Sequence, residues 1–111
     1  MSTTIAYPEI TVICPHGAVN ALNAGDFQQE MTKAVSQDQG SSVLVNLEQV
    51  ESLDSAGLMA LVSSLKLAQS LGSPFSLCGV SPAIRIIFEV TQLDRVFEIF
   101  ENITAFEKAY S

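Results

Sequence analysis

The sequence predicts an α/β fold: a mostly parallel, four- to five-stranded mixed sheet with about four helices, in alternating β-α order, forming one domain over residues 1–111. Three observations predict it. Short runs rich in β-branched residues alternate with longer runs whose apolar residues recur at helical spacing, the pattern of parallel strands joined by crossover helices. One run, Val43-Leu44-Val45-Asn46-Leu47, is nearly all apolar, as a strand covered on both faces requires. Finally, 111 residues with 48% hydrophobic and 15% charged residues suffice for one core and are too apolar for a disordered chain.

Residues 3–7 predict a short edge strand ended by Pro8, adding antiparallel pairing at one edge. Glu9 to Cys14 is rich in β-branched residues and reads as a strand stopped by Pro15 and Gly17. A polar loop through Asn20 leads to Asn23, expected to cap a helix with Asp26 in its first turn. Phe27, Met31, Ala34 and Val35 share that helix's face; it should finish before Gly40, with Ser41-Ser42 as linker. After the central strand, Val50 and Leu53 lead into the corner Asp54-Ser55-Ala56-Gly57. Leu58, Leu61, Val62, Leu65 and Ala68 mark the buried stripe of the next helix, and Gly72 stops it.

Phe75 to Val80 is the following strand. Ser81-Pro82 places a hydroxyl at the N-cap and proline at the first helical position. Ile84, Ile87, Phe88 and Thr91 share one face of that helix, and Thr91 to Asp94 turns the chain into a last strand, Val96–Phe100. Thr104-Ala105-Phe106-Glu107 has capping-box spacing and should open a terminal helix.

Twelve acidic against five basic residues give a formal charge of −7, which argues against nucleic acid or an anionic membrane surface as the direct partner. No apolar run approaches the roughly 20 residues of a membrane span. Met1-Ser2-Thr3-Thr4 lacks the basic and apolar blocks of a signal peptide, so a cytoplasmic protein is expected. Cys14 and Cys78 lie in strand-like text and read as reduced core thiols; with His16 alone they offer no metal-ligand spacing.

The chemistry concentrates at the Asp54 corner. A small hydroxyl where a strand enters a helix stands at the surface beside unsatisfied backbone N–H groups and the positive end of the helix dipole, a setting that welcomes phosphate. Ser55 is therefore a candidate phosphate acceptor. Local chemistry alone favours the plainer reading, in which Asp54 and Ser55 merely cap the helix. A nucleophile elbow would need Gly-x-Ser-x-Gly, and the text is Leu53-Asp54-Ser55-Ala56-Gly57; the one candidate base is His16 in a Pro-His-Gly turn. No phosphate-binding loop or dinucleotide fingerprint is present, so no cofactor is expected.

The stretch from Leu47 to Leu58, with Asp54-Ser55-Ala56-Gly57-Leu58 at its end, resembles the signature of STAS-domain anti-sigma factor antagonists of bacterial partner-switching systems. Leu71 to Pro82 is similar to the family's third strand and its Ser-Pro helix start, and Phe88 to Phe97 to its late segment. The resemblance implies a non-enzymatic switch. Its unphosphorylated form would bind and sequester an anti-sigma factor that is also a GHKL-type serine kinase. Phosphorylation on Ser55 would release that partner, and a PP2C-type phosphatase would reset the switch. The resemblance puts Asn20, Asp54, Ser55, Ala56, Gly57, Leu58 and Met59 at the partner surface and implies a monomer or weak dimer.

Two positions depart from the family pattern. Ala56 stands where many relatives have a second hydroxyl, leaving Ser55 the single acceptor in the motif. Asn20 replaces an acidic loop residue. The alternatives are a STAS scaffold or switch component with a non-sigma client, a transporter-type module (against which stands the lack of a preceding membrane segment) and a small serine hydrolase using Ser55 with His16.

Overall fold

Val43, Leu44 and Val45 have no solvent exposure, and the strand that holds them lies at the centre of the sheet. The computed structural model describes residues 2–7, 10–37 and 42–110. Its five-stranded sheet is built from β1 (Ser2–Tyr7), β2 (Ile10–Pro15), β4 (Ser42–Asn46), β6 (Phe75–Cys78) and β7 (Glu98–Phe100), side by side in that order. Only β1 runs antiparallel to its neighbour; the other pairings are parallel. The helices are α1 (Ala24–Gln37), α2 (Ser55–Leu71), α3 (Pro82–Val90) and α4 (Ile103–Tyr110). The predicted class, the helix count and the mostly parallel sheet are all observed.

Strand periodicity sorts the side chains into two layers. Ile13, Val43, Val45 and Leu77 join Phe27, Met31 and Val35 of α1, Leu61 and Leu65 of α2, and Ile84 and Phe88 of α3 in one large core. The alternate residues Val12, Leu44 and Cys78 form a smaller cluster with Phe106 of α4. Three helices thus cover one face of the sheet, and the eight-residue α4 covers the other.

Two further strands occupy text to which the sequence assigns no strand. β3 (Gly17–Val19) and β5 (Val50–Leu53) pair in parallel as a separate two-stranded sheet. At three and four residues they are too short for alternation to show; tertiary pairing and the burial of Val19, Val50 and Leu53 make them strands.

Several local expectations need correction. Asn23 does not cap α1 with its side chain. Its amide turns back into the loop, accepting from the Asn20 N–H at 2.9 Å and donating to the Ala18 carbonyl at 2.8 Å. Ser42 opens β4 instead of linking to it, because its backbone finds a parallel partner opposite Ile10. The last strand is only Glu98–Phe100. The chain first makes a 3-10 turn, Leu93–Arg95, which lets Phe97 insert edge-on against Phe88 with ring centroids 5.7 Å apart. α4 is capped by Asn102, whose Oδ1 accepts from the Ala105 N–H at 2.8 Å, so Thr104 lies within the helix. The expectations for Pro8, Glu9, Gly40 and Ser41 fall outside the described residues.

The strand read as Phe75 to Val80 ends at Cys78, where Gly79 turns the chain at φ 68°, and the central strand ends at Asn46, one residue before Leu47. Two helix boundaries match. Ser81 caps α3 with Pro82 at its first turn. Gly72, at φ 70°, closes α2 in the left-handed conformation that glycine adopts most easily.

Candidate functional site

β5 delivers the chain to Asp54, which is extended at φ −93° and ψ −174°. Its backbone N–H donates to the Val19 carbonyl at 3.1 Å, anchoring the corner on β3. Its carboxylate accepts from the Gly57 N–H at 3.0 Å, and its carbonyl accepts from the Leu58 N–H at 2.9 Å. Asp54 is therefore the helix cap. That leaves Ser55, the first helical residue, exposed and without that duty. The Ser55 and Ala56 N–H groups find no acceptor among the described residues, the usual condition of the first turn.

Gly57 plays a different part from the one expected. It is buried, and a Cβ there would stand 2.6 Å from Leu53 Cδ1 and 2.8 Å from Val19 Cγ1. It is glycine because the start of α2 presses against both strands of the small sheet, and it offers no surface to a partner. Ala56 and Leu58 are half-buried and pack against the main core. Of the predicted surface, Asp54, Ser55 and Met59 are exposed, Met59 at 59%, and Asn20 is half-buried.

Asn20 holds the adjoining loop. Its Oδ1 accepts from the Leu22 N–H at 2.9 Å, while its carbonyl accepts from the Asn23 and Ala24 N–H groups. This ordered turn carries a residue that sequence reasoning missed: Leu22, 94% exposed. The available signal was an apolar side chain set alone between Asn20-Ala21 and Asn23 in otherwise polar loop text.

His16 does not meet Ser55. It precedes the Gly17–Val50 end of the small sheet, while Ser55 follows the Val19–Leu53 end. Three strand steps separate those ends by roughly 10 Å, so the hydrolase dyad is not formed. His16 is exposed, with Nδ1 3.2 Å from the Cys14 carbonyl. Both cysteines are free. Burial, then Glu48 and Glu30, push the Cys14 thiol up; burial, then Cys14 and Glu48, push Cys78 up to about 12. Both stay protonated at neutral pH and unreactive. Among the described residues no group of three or more His, Cys, Asp or Glu is placed to hold a metal ion, and no helix is long and apolar enough to cross a membrane.

The site therefore offers a hydroxyl at the donor end of a helix, a neighbouring carboxylate already engaged in capping, and two exposed apolar side chains. Comparison with known proteins identifies the family and the fold. The STAS domain family model matches residues 2–105. The anti-sigma-B factor antagonist of Staphylococcus aureus is 33% identical over 74 residues, 67% of this chain and 68% of its own. An anti-sigma-factor antagonist (STAS) domain protein from Planctomyces limnophilus superposes with a TM-score of 0.87 at 24% identity, covering 99% of this chain and 97% of the other. The Bacillus protein SpoIIAA shares the fold at 16% identity. Its unphosphorylated form gives a TM-score of 0.80 over 99% of this chain and 96% of its own, and its phosphorylated form 0.75 over 98% and 99%.

Proposed function

The chain belongs to the STAS domain family, and on that premise we propose that it acts as a phosphorylation-controlled anti-sigma factor antagonist. It works by binding and not by catalysis, in the cytoplasm. The unphosphorylated form holds an anti-sigma factor that is also a GHKL-type serine kinase. The kinase transfers the γ-phosphoryl group of ATP to Ser55 Oγ and is thereby released; a PP2C-type phosphatase hydrolyses the phosphoserine and restores binding. The observation that carries this reading is the division of labour at the corner. Asp54 caps α2, so Ser55 stands exposed with its hydroxyl spare.

The release step follows from charge. Phosphorylation adds about −1.5 to −2 units at neutral pH. The uncommitted N–H groups of Ser55 and Ala56 and the helix dipole let the domain accept that charge without unfolding. A partner shaped for a neutral hydroxyl has to desolvate a dianion beside the Asp54 carboxylate. A penalty of about 3 kcal/mol lowers affinity about a hundredfold. Met59, one turn along α2 from Ser55, and Leu22, on the loop that follows β3, are exposed apolar side chains available to a partner.

The test is phosphosite mapping by mass spectrometry after incubation with ATP and the GHKL-type kinases of the source cell. Phosphate is expected on Ser55 and absent from Ser55→Ala. Titration calorimetry should then show the phosphorylated protein losing about a hundredfold in affinity for that kinase. Modification confined to another residue, or undiminished binding after modification, would refute the proposal.

A further inference from the structure

α3 is apolar on nearly every side. Ile84 and Phe88 are buried in the main core, yet on the opposite side Ile86 is 58% and Val90 77% exposed, with Ala83 exposed beside them. Positions 83, 86 and 90 share one face and form a stripe along the helix. Exposed apolar residues scattered singly need no explanation, but a continuous stripe marks a contact surface. Val96, also exposed, follows the 3-10 turn that folds against the end of α3.

The only charges on α3 are Arg85 and Glu89, one turn apart on one flank of the stripe. Neither is ion-paired among the described residues. Arg95 lies in the adjoining turn, so the two arginines of a chain with net charge −7 both sit here.

We propose that this face pairs with a second copy of the chain, α3 lying antiparallel to α3 across a two-fold axis. The charge order is self-complementary. An axis midway between Arg85 and Glu89 sets each Arg85 opposite Glu89 of the other copy, closing two ion pairs along one edge. The same axis brings the two Ile86 side chains together and lays Ala83 beside Val90. Arg85 and Arg95 offset Glu89 and Asp94, so this face carries no net charge, and two acidic molecules can meet here without the repulsion they meet elsewhere. Arginine is also the basic residue that interfaces prefer. One short helix and a turn make a small interface, so the dimer is weak, with Kd on the order of 10–100 µM. The pairing is argued from α3 and its adjoining turn alone, and stands or falls independently of the switch.

Sedimentation equilibrium of the full chain from about 5 to 500 µM tests this. The weight-average mass should climb from 11.9 kDa towards twice that value. Ile86→Glu, a change at an exposed site that leaves the circular dichroism spectrum intact, should stay at the mass of one chain throughout. Arg85→Glu should weaken pairing roughly tenfold or more, and Arg85→Glu combined with Glu89→Arg should restore it. A wild-type chain that remains monomeric throughout overturns the proposal, whether or not another protein binds this face. So does a dimer indifferent to Ile86→Glu, or a charge swap that fails to restore pairing.

Discussion

Gly57 and Ser55, two residues apart, divide the work of the corner. Gly57 permits contact between the start of α2 and the small sheet; Ser55 faces outward because that contact is made. Gly57→Ala would drive a methyl group against Leu53 and Val19 at distances that real Cβ atoms do not show. The strands and helix would have to separate, at a cost of about 2–3 kcal/mol in urea unfolding. Because the separation moves the corner, partner affinity should fall as well. Wild-type stability in that variant would mean that the small sheet yields freely. The glycine was legible in the sequence as part of a motif. Its physical role was not, because the residues it meets, Leu53 and Val19, lie in strands too short to read. Leu22 escaped for the opposite reason. An exposed apolar residue leaves no periodicity, and only its place on an ordered turn gives it meaning.

At the scale of elements, strand and helix identity followed the text wherever a run exceeded about five residues or carried a cap. The central strand, α2 with its glycine stop and α3 with its Ser-Pro start were legible for that reason. Two helix-start assignments failed because a polar side chain was already committed or a nearer one took the role. Asn23 had the chemistry of a cap, but its amide satisfies Ala18 and Asn20 instead. Thr104 had capping-box spacing, but Asn102 stands nearer the helix start and supplies the bond. Asn102→Ala therefore removes the acceptor for the Ala105 N–H and should cost about 1 kcal/mol. Hydrogen exchange should show α4 fraying first while α2 keeps its protection. Uniform loss of protection across both helices would mean that α4 is not a separable cover.

For the whole molecule, global opening of the sheet is linked to pH through Cys78. Its thiol sits at 0% exposure in β6, reached by water only when the sheet opens, and its pKa is raised from 9.0 to about 12. The folded state thus holds its proton at a pH where the unfolded chain releases it. The thiol's contribution to stability is complete below pH 9 and declines as pH rises towards about 12. Between pH 8 and pH 10, unfolding free energy should fall by about 1 kcal/mol more in the wild type than in Cys78→Ala. Equal losses in the two proteins would show that another group sets the alkaline limit. Net charge and composition indicated one acidic domain, but the two-layer division of the sheet emerged only from which strand residues meet which helices.

The small β3–β5 sheet has a consequence for how such a domain changes over time. The corner hangs on two strands of three and four residues that form their own ladder, outside the five-stranded one. Its exposed residues, Leu22, Ser55 and Met59, can be exchanged without disturbing a single hydrogen bond of the main sheet. On the proposed function, a lineage carrying several copies of this scaffold is free to diversify partner choice through such side chains while inheriting foldability unchanged.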